Sequence, residues 1–327
     1  IKLRLLALFP VRVSTAIKME ENDKMKRTEN SLKSGWDDKA QYLADSWILR
    51  HNDDYLVFLV DKVWKLKKPC RVVDFGCGYG RFGLKFMPLL PKGSTYYGFD
   101  ESSELIARAQ DIWQDSEIEN EFSVSSVFRA PYDDNRFDVA VSHTVLMHIP
   151  NPEKAINEMI RVTCNGGLII TCDANRNAHS ALFHIEETQE QEAVPLSLLQ
   201  TMNGEIRRKT GVDYNIGTKT PVLMHKAGLK NVGARMSDSI RLLFPPIQSN
   251  KDKALLQALC NEGYGPDLLD PIIKNKWIDG MIRNGVSQSE AEREIDRLLT
   301  LDFANKSADY HTVYTDLMTF SFGTVNK

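Results

Sequence analysis

No paired cysteines, no long apolar run and no excess of charge mark this chain of 327 residues. Its five cysteines, Cys70, Cys77, Cys164, Cys172 and Cys260, are odd in number and show neither CxxC pairing nor zinc-ligand spacing, so a disulfide framework and a zinc ribbon are excluded as organising devices. A reduced, cytoplasmic compartment is the resulting expectation. The net charge of −3, with Lys and Arg interspersed among Asp and Glu, lacks the basic patch needed to track phosphates, so no nucleic-acid partner is expected. Residues 1–18 are basic and partly apolar, but Arg4, Pro10 and Arg12 interrupt them and they are too short to cross a bilayer, so no membrane partner is expected either. With Ile1 at the start and a methionine at Met19, residues 1–39 read as a flexible or mis-assigned segment, with a transit peptide as the lesser alternative.

What is present is alternation. Residues 40–66 place Leu43, Trp47, Tyr55, Leu56, Leu59, Val63 and Leu66 at helical spacings, and Arg71 to Phe75 form a short β-branched run bounded by glycine. The chain then reads as helix over 81–90, strand over 95–99, helix over 102–115, strands over 121–127 and 137–143, helix over 152–162 and strand over 167–172. Such alternation predicts an α/β fold, a doubly wound, mostly parallel sheet with helices on both faces and ligands beyond the carboxyl ends of its strands. Helices over 193–209 and 218–227, a strand over 232–243, a helical insertion over 251–303 and a last strand over 317–325 complete the reading. Ser287 and Glu290 have capping-box spacing for a helix over 288–300. The domain expectation is therefore a core of 40–250 plus 304–327, with 251–303 as a probable substrate cover.

The sharpest feature is VVDFGCGYGRF, residues 72–82. A strand ends near Asp74, and Gly76, Gly78 and Gly80 come after it at alternate positions, letting the backbone turn tightly and approach a ligand without Cβ clashes. Gly78, Gly80 and Gly83 also fit the GxGxxG dinucleotide fingerprint, which keeps a nicotinamide cofactor as an alternative. An acid at Asp74 is unhelpful beside a pyrophosphate and favourable beside a cationic amino acid, which tips the choice toward S-adenosylmethionine.

Asp74-Phe-Gly76-Cys77-Gly78-Tyr-Gly80 resembles the first motif of class I (seven-stranded α/β) S-adenosylmethionine-dependent methyltransferases of the bacterial small-molecule type. The resemblance implies seven strands, Gly76 to Gly78 against the methionyl part of the cofactor with Asp74 near its amino group, and Asp100, with Glu101 beside it, on the ribose hydroxyls. Where many relatives carry Gly-Asp-Ala after the third strand, this chain has Ser125-Ser126-Val127, so the adenine contact falls to Ser126, Val127 and backbone. Phe137-Asp138-Val-Ala-Val-Ser142-His143 resembles the family's fourth strand, and Leu146-Met-His148-Ile-Pro150, Pro152-Glu153 and Gly166-Gly167 resemble the segment between it and the fifth. Gly211-Val-Asp213-Tyr-Asn215-Ile-Gly217 extends the likeness more loosely. N-terminal helices of relatives form lids, which would put Tyr42 and Trp47 over the methionine end, with ordinary packing of the two side chains as the other reading.

In-line methyl displacement depends chiefly on positioning, and a general base is needed only for a hydroxyl or a protonated amine. His143 and His148 are the first candidates for that role, with Asp173 and His179 next; His143 is also expected to touch the cofactor. The Asn-Pro-Pro-Tyr motif of amide-methylating enzymes is missing after the fourth strand, which disfavours adenine-amine and glutamine acceptors. A small-molecule acceptor remains, with O, N and C open, and no metal site is expected. A catalytically inactive cofactor-binding protein stays as an alternative, and oligomeric state is not legible.

Overall fold

The computed structural model describes residues 47–176, 184–185, 196–261, 270–300 and 311–327. A helical turn at 47–50 leads into α1 (Asp53–Phe58), which runs on through a wider turn (Leu59–Val63). Next in the chain are β1 (Arg71–Phe75), α2 (Arg81–Phe86), β2 (Thr95–Asp100), α3 (Ser103–Trp113), β3 (Asn120–Val124), β4 (Phe137–His143), α4 (Pro152–Val162) and β5 (Thr163–Ala174). After a two-residue strand, β6 (His184–Ile185), come α5 (Leu196–Thr210), α6 (Thr220–Lys226), β7 (Lys230–Met236), β8 (Ile240–Leu243), α7 (Asn250–Asn261), α8 (Pro271–Arg283), α9 (Gln288–Thr300), β9 (Thr312–Thr315) and β10 (Met318–Thr324).

Seven strands form the main sheet in the order β3-β2-β1-β4-β5-β10-β7. The β1, β2, β3, β4 and β5 pairings are parallel, and β10 runs antiparallel between β5 and β7. The α/β doubly wound, mostly parallel architecture of the sequence reading is therefore the observed one. Its core strands are buried on both faces, as continuous apolar runs such as Val72, Val73 and Phe75 require. Helix α4 shows how one covering layer is read from its sequence: Ala155, Ile156, Met159 and Val162 recur at helical spacing and are buried. Arg161 stays at the helix edge, 2.7 Å from both Asp134 and Glu158. Tyr96 and Trp113 stack at 4.6 Å between ring centroids and only 6° from parallel, tying α3 to β2. Each such buried aromatic adds roughly 1.5–3 kcal/mol.

The run 232–243 is two strands rather than one. Ser237 and Ser239 both donate their hydroxyls to the Asp316 carbonyl, at 3.3 and 2.7 Å, which bends the chain out of the main sheet after Met236. It resumes as β8 in a separate antiparallel sheet, β6-β9-β8, whose members come from three distant segments. The 251–303 stretch contains α7, α8 and α9. At the start of α9 the capping box is formed: the Glu290 amide donates to Ser287 Oγ at 3.3 Å and the Ser287 amide donates to the Glu290 carboxylate at 3.2 Å. None of the described helices is long and apolar enough to cross a membrane.

Candidate functional site

At the carboxyl end of β1 the chain must reverse into α2 within a few residues. Gly76 has φ +68°, and a Cβ there would lie 2.7 Å from Val145 Cγ2, so this turn and the β4 turn pack at a distance only glycine permits. Gly80 has φ +78° and sits with its Cα against the Trp113 indole, where a Cβ would come within 2.5 Å of Nε1. The Cys77 amide donates to the Phe99 carbonyl at 3.0 Å, pinning the loop to the end of β2.

Asp100 ends β2 and organises the loop around its carboxylate. Its Oδ2 accepts from the Gly78 amide and its Oδ1 from the Ser102 amide, both at 3.0 Å. Ser102 in turn caps α3 by accepting from the Leu105 amide at 3.1 Å. Burial raises the Asp100 pKa, against the two amides that favour its charge. Glu101 lies beside it, half-buried. The Ser125 amide donates to the Asp100 carbonyl at 3.0 Å, bringing the turn with Ser126 and buried Val127 to the same rim.

Asp74 lies one layer deeper. It is buried, accepts a 2.6 Å bond from the Tyr96 hydroxyl, and leaves Oδ1 buried with no partner. Burial pushes its pKa up to about 7. An orphaned carboxylate oxygen beneath a left-handed glycine turn, with a second carboxylate at the rim, fits a ligand that carries an ammonium group at one end and vicinal hydroxyls at the other. S-adenosylmethionine has both. Cys77 is buried and its thiol is held well above the usual pKa by burial, so it stays protonated and inert.

His143 ends β4 at the other side of the cleft. Its ring stacks on Phe82 at 5.2 Å and 20°, and lies 5.9 Å from Trp47 and 4.9 Å from His51 between centroids. The two imidazoles meet Nε2 to Nε2 at 2.8 Å. Burial, then the Arg50 guanidinium, lowers the His143 pKa to about 3; burial, then His143 and Arg50, lowers that of His51 as well. Both rings are therefore neutral. Arg50 is itself buried and donates to Asp316 at 2.6 Å. The 47–52 segment is held down by Arg241, which donates 2.6 Å bonds to the His51 carbonyl and to Asn52 Oδ1, and by Trp47 Nε1 donating to Asp53 at 3.1 Å.

His148 is elsewhere: it sits in the turn Leu146–His148 with its ring edge-on to Tyr214 at 6.0 Å. Asp173, at the end of β5, accepts from the Met147 amide at 3.1 Å and so fastens that turn to the sheet. Its carboxyl is pushed up to about 8 by burial, against the Met147 and Leu146 amides. Tyr42 and His179 lie outside the described residues. Sequence reasoning missed His51, Arg50, Cys172 and Asp316, which the fold brings to the β4 and β5 ends from separate segments; their spacing carries no signal. Of the described residues, one group of potential metal ligands assembles here, His51, His143 and Cys172, with ligand atoms all within 4.8 Å of one another.

This sheet order, with a glycine turn after its first strand and an acid after its second, defines the class I S-adenosylmethionine-dependent methyltransferase fold. A family described as "Methyltransferase domain" matches residues 66–238, more than half of the chain, and the chain belongs to that family. Among curated proteins it is 30% identical over 141 residues to an uncharacterized methyltransferase of Schizosaccharomyces pombe, covering 41% of this chain and 49% of that protein. It is 29% identical over 151 residues to the demethylmenaquinone methyltransferase of Desulfitobacterium hafniense, covering 42% and 60%. The chain thus spans about half the length of the curated relatives it matches. Among solved structures, the [4+2]-cyclase SpnF shares the fold at a TM-score of 0.50 and 16% identity, over 91% of this chain and 97% of that one.

Proposed function

We propose that this protein transfers a methyl group from S-adenosylmethionine to a small-molecule acceptor. Asp74 and the Gly76–Gly78 turn hold the methionyl end, Asp100 and Glu101 the ribose, and Ser126 and Val127 border the adenine. The bound cofactor supplies an electrophilic methyl group.

The observation that carries the small-molecule reading is the aromatic lining of the β4 end of the cleft. Trp47, His51, Phe82 and Phe320 are all buried there, with His143 stacked among them, and Arg241 clamps the covering segment in place. A cleft end lined by aromatic rings suits a compact, flat or apolar acceptor. Relatives named for demethylmenaquinone, norajmaline and ubiquinone biosynthesis are in keeping with an acceptor of this size.

The residues act by placement. Phe82 and Trp47 fix the His143 ring, and Asp173 fixes the 146–148 turn whose neighbour Val145 packs on Gly76, so the acceptor wall and the cofactor turn move as one. A ring whose pKa is lowered to about 3, chiefly by burial, is a weak proton acceptor at neutral pH, so His143 acts by its position among the rings rather than as a proton store. His148, on the turn, lies edge-on to Tyr214.

Incubation with methyl-labelled cofactor and a cell extract split by ultrafiltration tests the reading. Label should appear in the low-molecular-weight fraction. Label confined to protein, RNA or DNA would overturn the small-molecule acceptor while leaving methyl transfer standing.

A further inference from the structure

We propose that His51, His143 and Cys172 bind one Zn2+ ion, with the fourth coordination position left to water. The inference concerns metal binding and does not rest on the identity of the methyl acceptor.

Two imidazole nitrogens and a sulfur, from the covering segment, β4 and β5, converge with their ligand atoms within 4.8 Å of one another. Register explains the meeting. His143 and Cys172 are direct partners across the β4/β5 pair and Phe320 is the partner of Cys172 across β5/β10, so their side chains share one face of the sheet. His51 is lowered onto that face edge-on to Phe320 at 5.7 Å. A tetrahedral zinc with Zn–N of about 2.0–2.1 Å and Zn–S of about 2.3 Å needs N···N near 3.3 Å and N···S near 3.6 Å. The observed Nε2···Nε2 separation is 2.8 Å, so the rings have to part by about half an ångström.

The chemistry of the donors favours this ion. Two nitrogens and a sulfur suit a borderline-soft cation and are a poor set for Ca2+ or Mg2+, which require oxygen. Three protein ligands with one open position is the arrangement of sites where the ion has work to do beyond holding the fold. Zinc takes each imidazole through the lone pair of a neutral ring. The single N–H that now lies between the two Nε2 atoms moves to Nδ1 of its own ring. The Cys172 thiol loses its proton to the medium as the Zn–S bond forms, so one proton is released per ion bound. Arg50 and Asp316, paired with each other at 2.6 Å, both face these groups, the Arg50 charge acting on the two imidazoles and the Asp316 and Asp173 carboxyls on the Cys172 thiol. The thiolate then offsets half the charge of the ion.

The test uses the full chain, stripped with a chelator and dialysed, then titrated with Zn2+ and separately with Co2+. One equivalent of Zn2+ should bind, with one proton released when the titration is repeated in buffers of different ionisation heat. Co2+ should produce a thiolate-to-cobalt charge-transfer absorption. Cys172→Ser should abolish that absorption, and His51→Gln should weaken Zn2+ binding by at least about tenfold. Cys164→Ser, at a half-exposed cysteine outside the cluster, should leave both unchanged. Each variant is checked for fold by far-ultraviolet circular dichroism and for S-adenosylhomocysteine binding, which reports the cofactor end separately. Substoichiometric Zn2+ binding by the wild-type chain, or a cobalt–thiolate band that survives Cys172→Ser, would overturn the proposal.

Discussion

At the β2 end of the cleft the groups proposed for the cofactor come from residues 74–127, on the turns after three successive strands, and those turns are tied by hydrogen bonds of Gly78 and Ser102 to Asp100 and of Cys77 to Phe99. At the β4 and β5 end Trp47 and His51, Phe82, His143, Cys172 and Phe320 come together, held by Arg50 on Asp316 and by Arg241 on the His51 carbonyl. The first end is a local device and the second is an assembly of remote segments. The first end is drawn from one continuous stretch of chain, with the β4 turn reaching it where Val145 packs on Gly76, whereas the assembled end exists only while the whole fold does.

Removing Arg50 should break that contrast most severely. Asp316 is fully buried, so Arg50→Ala strips a buried carboxylate of its ion-pair partner and should lower stability by about 3–5 kcal/mol in urea unfolding. Loss of stability of less than about 1 kcal/mol would mean that the segment carrying Arg50 is only loosely attached. At the other end, Asp100→Ala removes the carboxylate assigned to the ribose. Charge-assisted bonds of about 1.5–3 kcal/mol each predict S-adenosylhomocysteine affinity falling by roughly 100-fold, read by calorimetry.

Asp173 gives a pH-dependent version of the test. Its folded-state pKa of about 8 lies above the ordinary carboxylate value, so the fold favours the neutral form. Its stabilising contribution is whole below the ordinary range, near pH 4, and is lost as pH rises toward about 8, each pKa unit being worth about 1.4 kcal/mol. Asp173→Asn keeps an oxygen for the Met147 amide and has no charge to bury. Its Tm relative to wild type should therefore rise from pH 4 to pH 9; a difference that does not change with pH would refute the burial argument. The smallest effect is expected outside the cleft: Ser287→Ala, which removes the α9 cap, should cost about 1 kcal/mol and leave S-adenosylhomocysteine binding untouched.

The same division explains what could be read from sequence. Alternation of apolar strands and amphipathic helices fixes β1 to β5, and the glycine turn with Asp74 and Asp100 announces itself because its parts are neighbours in the chain. The capping box at Ser287 and Glu290 is legible for the same reason. The three-stranded sheet was hidden, since β6 is only two residues long and β8 reads as a continuation of β7 until Ser237 and Ser239 find the Asp316 carbonyl. His51, Cys172 and Asp316 carry no local signature at all. Only the register of β4 on β5 and β5 on β10, together with the path of the covering segment, brings them to one place. The depth of Asp74 was equally illegible, because nothing in the motif tells that Tyr96 will donate to it from β2.

The central claim, that the local end of this cleft is a methionine-nucleoside site of a methyltransferase, is tested most directly by calorimetric titration of the full chain with S-adenosylhomocysteine and, separately, with NADH, alongside Asp100→Ala. One equivalent of S-adenosylhomocysteine bound by the wild type, strongly weakened in the variant, and no heat from NADH is the predicted result. Saturable NADH binding with none of the homocysteine compound would contradict it.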